Sequence, residues 1–190
     1  MNKEKQKYIK LDIGCGQNKK LGFKGLDKIK MIGVDIVCDL EKEKMPINDS
    51  SVQETFSMHF LEHTNNLVQV MEEIWRVSTN GARVVLAVPY YNSIGAYRDP
   101  THKRFFTYDT FDYFTNTVAY PSFYTKAKFK IIKKRILFYP ANSNIRGIIP
   151  KLYKLPFQIL VNIFPALYEN SFLKIFPAND LYVELKTIKL

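Results

Sequence analysis

The segment Leu11-Asp12-Ile13-Gly14-Cys15-Gly16 constrains this chain more than any other. An apolar run ends in a carboxylate and then turns through two glycines. Glycine reaches backbone angles closed to other residues and lets the main chain approach a ligand that a Cβ would block. A strand ending this way opens a nucleotide-type pocket, but a plain strand turn looks the same, so its weight rests on the residues downstream. Those residues carry further signals in a definite order. Carboxylates stand at strand-like ends, at Asp27, Asp35 and Asp39. The run Ser57-Met58-His59-Phe60-Leu61-Glu62-His63 comes next, then an apolar periodicity that stops at Gly81.

The hydrophobic pattern predicts strands at Tyr8 to Ile13, Gly22 to Asp27, Met31 to Leu40, Val52 to Met58 and Ala82 to Val88. Thr64 to Asn66 offer N-cap side chains. Leu67, Val70, Met71, Ile74 and Val77 then repeat at helical spacing, with Gly81 as the expected C-terminal stop. Alternating strand and helix or loop points to an α/β fold, a Rossmann-like, mainly parallel sheet with helices on both faces. The second half is less regular. Tyr90 to Thr107 reads as a long loop around Asp99-Pro100-Thr101-His102, Thr110 to Asn116 as a short helix, and Phe129 to Tyr139 and Leu181 to Leu190 as further strands. Lys151 to Phe176 mixes apolar residues with prolines. The expected organisation is one domain over 1–190, with a core at 8–89 and a lid or substrate-binding segment with the last strands at 90–190.

A chain of 190 residues that is 46% hydrophobic builds an ordinary globular core rather than a disordered segment. Its net charge of +10 would suit an anionic partner, but the lysines are spread along the chain and fit solubility as well. Nucleic acid is not expected, because no recognised RNA-binding module is present. Cys15 and Cys38 stand in neither a disulfide framework nor a metal spacing. With a charged N-terminus and no apolar stretch behind it, these features fit a reducing, cytoplasmic setting. Leu155 to Tyr168 is too short and too proline-broken for a membrane span and reads as a buried helix or an interfacial segment.

Taken in order, the motifs resemble those of a class I S-adenosylmethionine-dependent methyltransferase: Gly14-Cys15-Gly16, Asp27, Asp39-Leu40 with Pro46, Leu61-Glu62-His63, Glu73-Ile74-Trp75-Arg76-Val77 with Gly81, and Val88-Pro89. Asp99-Pro100-Thr101-His102 with Arg104-Phe105-Phe106-Thr107 resembles a segment found after the last core strand of related enzymes. Two departures stand out. Ser78-Thr79-Asn80-Gly81 replaces a basic residue, a proline and two glycines. The stretch from Gly16 to Phe23 is also shorter than the dozen or so residues a crossover helix takes with its loops.

The resemblance implies S-adenosylmethionine as cofactor, S-adenosylhomocysteine as product and a small-molecule methyl acceptor. It places Asp12, Gly14, Cys15, Gly16, Asp27, Asp39, Leu40, Met58 and His59 around the cofactor. Asp12 would order the glycine turn or only cap its own loop. Gly14 and Gly16 would leave room for the methionine and ribose parts, and Cys15 would contribute mainly backbone. Asp39 would accept from the adenine amino group and Leu40 would cover the ring. The ribose acid has two candidates. The family pattern selects Asp27, while crossover length prefers Asp35; Asp27 is the choice here, because Asp39-Leu40 then takes the next strand's place. His59 and His63 stand four apart, as metal ligands on a helix face do, but no third ligand has suitable spacing, so no metal is expected. Glu73 and Arg76 read as a surface ion pair at i,i+3. His102, whose ordinary pKa suits proton removal from a hydroxyl or amine, is the candidate catalytic residue, with a structural turn as the competing role. Two other readings remain open: a non-catalytic cofactor- or partner-binding member of the same fold, and a peripheral membrane or lipid-acting protein built on the Lys151 to Phe176 segment.

Overall fold

A computed structural model describes residues 8–115, 122–139 and 148–189. Its centre is a seven-stranded sheet of β1 (Ile9–Ile13), β2 (Lys24–Asp27), β3 (Ile36–Val37), β4 (Val52–Met58), β5 (Ser78–Pro89), β6 (Phe129–Leu137) and β7 (Asp180–Thr187). The spatial order is β3-β2-β1-β4-β5-β7-β6. The first five strands pair in parallel, and β7 lies antiparallel between β5 and β6. The chain leaves β1 toward one edge and returns at β4 on its other side. A sheet built this way has a crevice at the carboxyl ends of β1 and β4, where the order reverses.

In β5 the run Val84 to Val88 is apolar and buried throughout, whereas β4 alternates buried Val52, Thr55 and Ser57 with more exposed Gln53, Glu54 and Phe56. Leu11, Ile13, Val84, Leu86 and Val88 are fully buried. The helix α1 (Leu67–Val77) supplies the crossover from β4 to β5. Asn66 caps it by accepting from the Gln69 N–H, and Leu67, Val70, Met71, Ile74 and Val77 face the core. The connections from β1 to β2, β2 to β3 and β3 to β4 contain no helix; they are loops.

Three local expectations change. Met31 to Leu40 does not form one strand: only Ile36 and Val37 pair, at the sheet edge, because the chain turns at Gly33 (φ 94°) and again after Cys38. Gly81 does not end α1. Ser78 does, with its N–H and its hydroxyl both donating to the Ile74 carbonyl, and β5 starts at that residue. Gly81 (φ 79°) instead sits in the irregular register at the start of β5, where extra residues are accommodated between the Ser78 and Arg83 pairings. Thr110 to Asn116 is a 3₁₀ turn over Thr110–Phe114, and Asn116 lies outside the described residues.

The long segment after β5 contains the short α2 (Ile94–Arg98), capped by Ser93. The apolar C-terminal stretch becomes α3 (Ile148–Ile163), α4 (Pro165–Asn170) and a 3₁₀ turn at Phe172–Ile175. In α3, the Asn162 and Gln158 side chains bond the free backbone edge of β6. Asn162 Oδ1 accepts from Ile136 N at 2.8 Å and Gln158 Oε1 from Phe138 N at 2.9 Å, so α3 covers a sheet edge that would otherwise stay open. Among the described residues, no helix is long and apolar enough to cross a membrane.

Candidate functional site

Two adjoining cavities open at the carboxyl ends of the parallel strands. The first, about 360 Å³, is lined by Gly14 after β1, Asp27 ending β2, Asp39 and Leu40 after β3, and His59 after β4. The second, about 850 Å³, lies beyond His59 and His63, which line both, and is closed by α2, Asp99 to His102 and Pro177 to Asp180.

Each carboxylate expected at the site has a distinct role. Asp27 Oδ2 accepts from Gly16 N at 3.0 Å and Oδ1 from Ile29 N at 3.1 Å, so one side chain ties the glycine turn to the wall of the first cavity. Asp35 lies off that lining. Its Oδ2 takes the Lys19 ammonium and the Gly25 N–H, which hold its carboxyl below the usual range. Asp12 is buried and accepts from Lys20 N at 2.7 Å, so it braces the loop after β1 from beneath. Burial pushes its carboxyl up, against the pull of that amide. Asp39 accepts from the Glu41 N–H, which holds its carboxyl down.

The two glycines of the turn are not equivalent. A Cβ on Gly16 would meet open space, whereas one on Gly14 would lie 2.5 Å from the Phe60 side chain. The missing Cβ at Gly14 makes way for the Phe60 side chain, and both residues line the first cavity. Cys15 packs inward against Gly25, and burial pushes its thiol up to about 11. Met58 ends β4 outside the cavity lining. Lys28, Glu41 and Lys103 line the first cavity without having been singled out by sequence, and Thr64 and Thr101, read there as a cap candidate and part of a turn, join them. They come from loops with no periodic pattern, so only the fold brings them there.

His59 has a left-handed backbone (φ 53°), uncommon outside glycine and often met at functional sites. Its Nδ1 is 3.4 Å from Glu62 Oε1 and its Nε2 3.7 Å from Asp180 Oδ2. Glu62 beside it and Asp180 hold this imidazole above its ordinary value despite burial. The Asp99 to Arg104 segment is clamped onto the end of β4. Lys103 N and Arg104 N both donate to the Glu62 carbonyl, and Arg104 Nε donates to Thr64 O. Asp99 Oδ1 accepts from both the amide and the hydroxyl of Thr101. This clamp brings His102 to the wall of the second cavity, with Nδ1 3.1 Å from Ala96 O and Nε2 4.0 Å from Glu62 Oε1.

Glu73 and Arg76 form no exposed pair. Glu73 is buried and accepts from Arg76 Nε and Nη2, both at 2.9 Å, and from Met45 N at 3.0 Å. Arg76 also bonds the carbonyls of Met45 and Ile47 and the Asp49 carboxylate. Spacing on the helix gave no sign of this, because the partner loop lies far away in sequence.

Residues 26–86 match the family model described as a methyltransferase domain. No curated protein sequence matches the chain. Its fold is similar to that of a SAM-dependent methyltransferase from Archaeoglobus fulgidus, with a TM-score of 0.55 at 18% identity over 94% of this chain and 86% of the other. It is also similar to a SAM-dependent methyltransferase from Methanosarcina mazei (0.56, 14%, 97% and 94%) and to the [4+2]-cyclase SpnF (0.56, 14%, 95% and 76%).

Proposed function

We propose that this chain, a member of the class I S-adenosylmethionine-dependent methyltransferases, binds that cofactor in the first cavity and methylates a small molecule held in the second. The observation that carries this reading is the pair of cavities at the strand-order reversal, with His59 and His63 as their shared wall. Bound there, S-adenosylmethionine would supply an electrophilic sulfonium methyl to a nucleophilic acceptor atom.

The chain's own residues bind and position. Asp27, already anchored on the Gly16 and Ile29 amides, would accept from the ribose hydroxyls. Asp39 and the buried Leu40 would bracket the adenine. Asp12 and Cys15 act from below by shaping the loop. The second cavity joins apolar Pro89, Ile94 and Ala178 to the charged Arg98 and Asp99, which suits a small, partly apolar acceptor with a polar end. Positioning and exclusion of water carry most of such a displacement. His102 lines that wall, and with no metal on it its Nε2 would take the acceptor's proton.

Calorimetric titration of S-adenosylmethionine and S-adenosylhomocysteine into the protein tests the cofactor site. Micromolar binding is expected; absence of binding by both would overturn the reading. Transfer of labelled methyl to pooled small-molecule extracts then separates a working enzyme from a member that binds without turnover. SpnF, a [4+2]-cyclase, has a similar fold, so the product and not the fold decides the chemistry.

A second reading concerns the C-terminal segment. Ile159, Ile163, Phe164, Leu167, Phe172 and Ile175 are exposed together on α3, α4 and the following turn of a basic protein. Such a face fits peripheral contact with an anionic membrane surface.

A further inference from the structure

Glu62, His63 and His102 meet in the wall of the second cavity, and we propose that they form a binding site for one divalent transition-metal ion. The proposal starts from Glu62. Its side chain is 1% exposed, and neither carboxylate oxygen accepts a hydrogen bond. A buried carboxylate left this way is costly and calls for a cation. The nearest one is the His59 imidazole at 3.4 Å, well beyond the 2.7 to 2.9 Å or so of a charge-assisted hydrogen bond.

One donor atom from each of Glu62, His63 and His102 lies within 4.8 Å of the others. Three ligands set tetrahedrally about 2.1 Å from a common ion stand about 3.4 Å apart, so the widest separation would have to close by up to roughly 1.4 Å, within reach of side-chain rotation. The backbone holds it nearly assembled already, because Lys103 N and Arg104 N fasten the His102 segment to the Glu62 carbonyl.

The tautomer of each neutral ring is set by its neighbours. His102 Nδ1 faces the Ala96 carbonyl, which can only accept, so Nδ1 carries the proton and Nε2 the lone pair. His63 Nδ1 is 2.9 Å from Thr101 Oγ1, whose own proton goes to Asp99 Oδ1 at 2.7 Å. His63 Nδ1 therefore donates, and its Nε2 also carries a lone pair. An outer partner fixing the tautomer in this way is the usual support of a metal-bound histidine. Two imidazoles and one carboxylate suit manganese, iron, cobalt, nickel or zinc better than magnesium or calcium, which prefer oxygen alone. The spacing of His59 and His63 could not reveal this site, because the third side chain arrives on a segment beyond the next strand.

The test uses the full chain, stripped with a chelator and titrated with Co²⁺, read by visible d–d absorption and by calorimetry. One Co²⁺ per chain is expected, with affinity falling at least about tenfold in His102→Ala and in Glu62→Gln. Glu62→Gln keeps the shape of the side chain and serves if His102→Ala does not fold. Absence of stoichiometric binding, or binding that both variants retain, would overturn the proposal and leave Glu62 paired with His59. Neither readout depends on methyl transfer, so failure of the metal site and failure of the proposed function are distinguishable.

Discussion

Asp27 holds two backbone amides while its carboxylate faces the first cavity; Asp35, eight residues on, spends its own on Lys19 and Gly25. The difference yields opposite expectations for two similar substitutions. Asp27→Ala should weaken S-adenosylmethionine binding at least tenfold, since charge-assisted hydrogen bonds contribute about 1.5 to 3 kcal/mol. Asp35→Ala should leave affinity within about threefold and instead lower the melting temperature, because it frees the Gly25 amide. Parallel calorimetry and thermal melts separate them, and loss of binding in Asp35→Ala alone would reverse the assignment. Sequence spacing could not decide between the two acids because no helix fills either neighbouring crossover, so the usual ruler of strand-to-strand distance does not apply. It was equally blind to Gly14, whose missing Cβ makes way for Phe60, a residue far along the chain. The order of motifs was legible because chain order dictates order along the strand ends. Which atom each residue touches was not, because those partners are long-range.

At the scale of elements, α1 is fixed to the loop before β4 by the Glu73–Arg76 pair, whose side chains bond Met45, Ile47 and Asp49, and by the Ser50 and Ser51 N–H groups, which donate to the Arg76 and Val77 carbonyls. Burial pushes the Glu73 carboxyl up, but the Arg76 guanidinium and the Met45 N–H outweigh it and hold the group below its ordinary value of 4.5. A carboxylate depressed in the folded state contributes stability that is fully present above its unfolded value and is lost as pH falls through the folded one. The melting temperature should therefore hold near neutrality and drop below about pH 4.5. Glu73→Gln should cost roughly 1 to 3 kcal/mol at pH 7 and show a shallower acid decline, measured by calorimetric melts across pH. An unchanged acid slope in the variant would show that other carboxylates govern it. α1 itself was legible from its apolar periodicity and its Asn66 cap, which are local signals. Its end was not. Glycine is the commonest stop after a helix, but here Ser78 bonds back to Ile74 and the strand begins at once, leaving Gly81 to the bulge. The short β3 escaped for a related reason: an apolar run marks what is able to be a strand, whereas pairing at a sheet edge ends where the chain turns away.

For the whole molecule, the decisive step is the return of the C-terminal chain into the sheet. β7 enters between β5 and β6, so residues far from the first motifs complete the wall of the second cavity. The helical segment before it is held by buried rings. The Tyr168 hydroxyl donates to Phe176 O and accepts from Asn92 Nδ2, and the Tyr90 hydroxyl meets Glu169, which also accepts from Tyr108 N. With its inner face fixed in this way, α3 turns the opposite face outward, and Ile159 (54% exposed) and Ile163 (61%) lie one turn apart on it. Burying them in an interface would add apolar stabilisation to the pull of a +10 chain toward anionic lipid, and the electrostatic share should fade with salt. The chain should therefore co-sediment with phosphatidylglycerol vesicles at low ionic strength. The double variant Ile159→Ser, Ile163→Ser should lose most of that binding while melting within about 2 °C of the parent, since exposed substitutions rarely change stability by more than about 0.5 kcal/mol. If the parent does not sediment but forms dimers that the variant abolishes, this face is covered by a second copy of the chain and not by lipid.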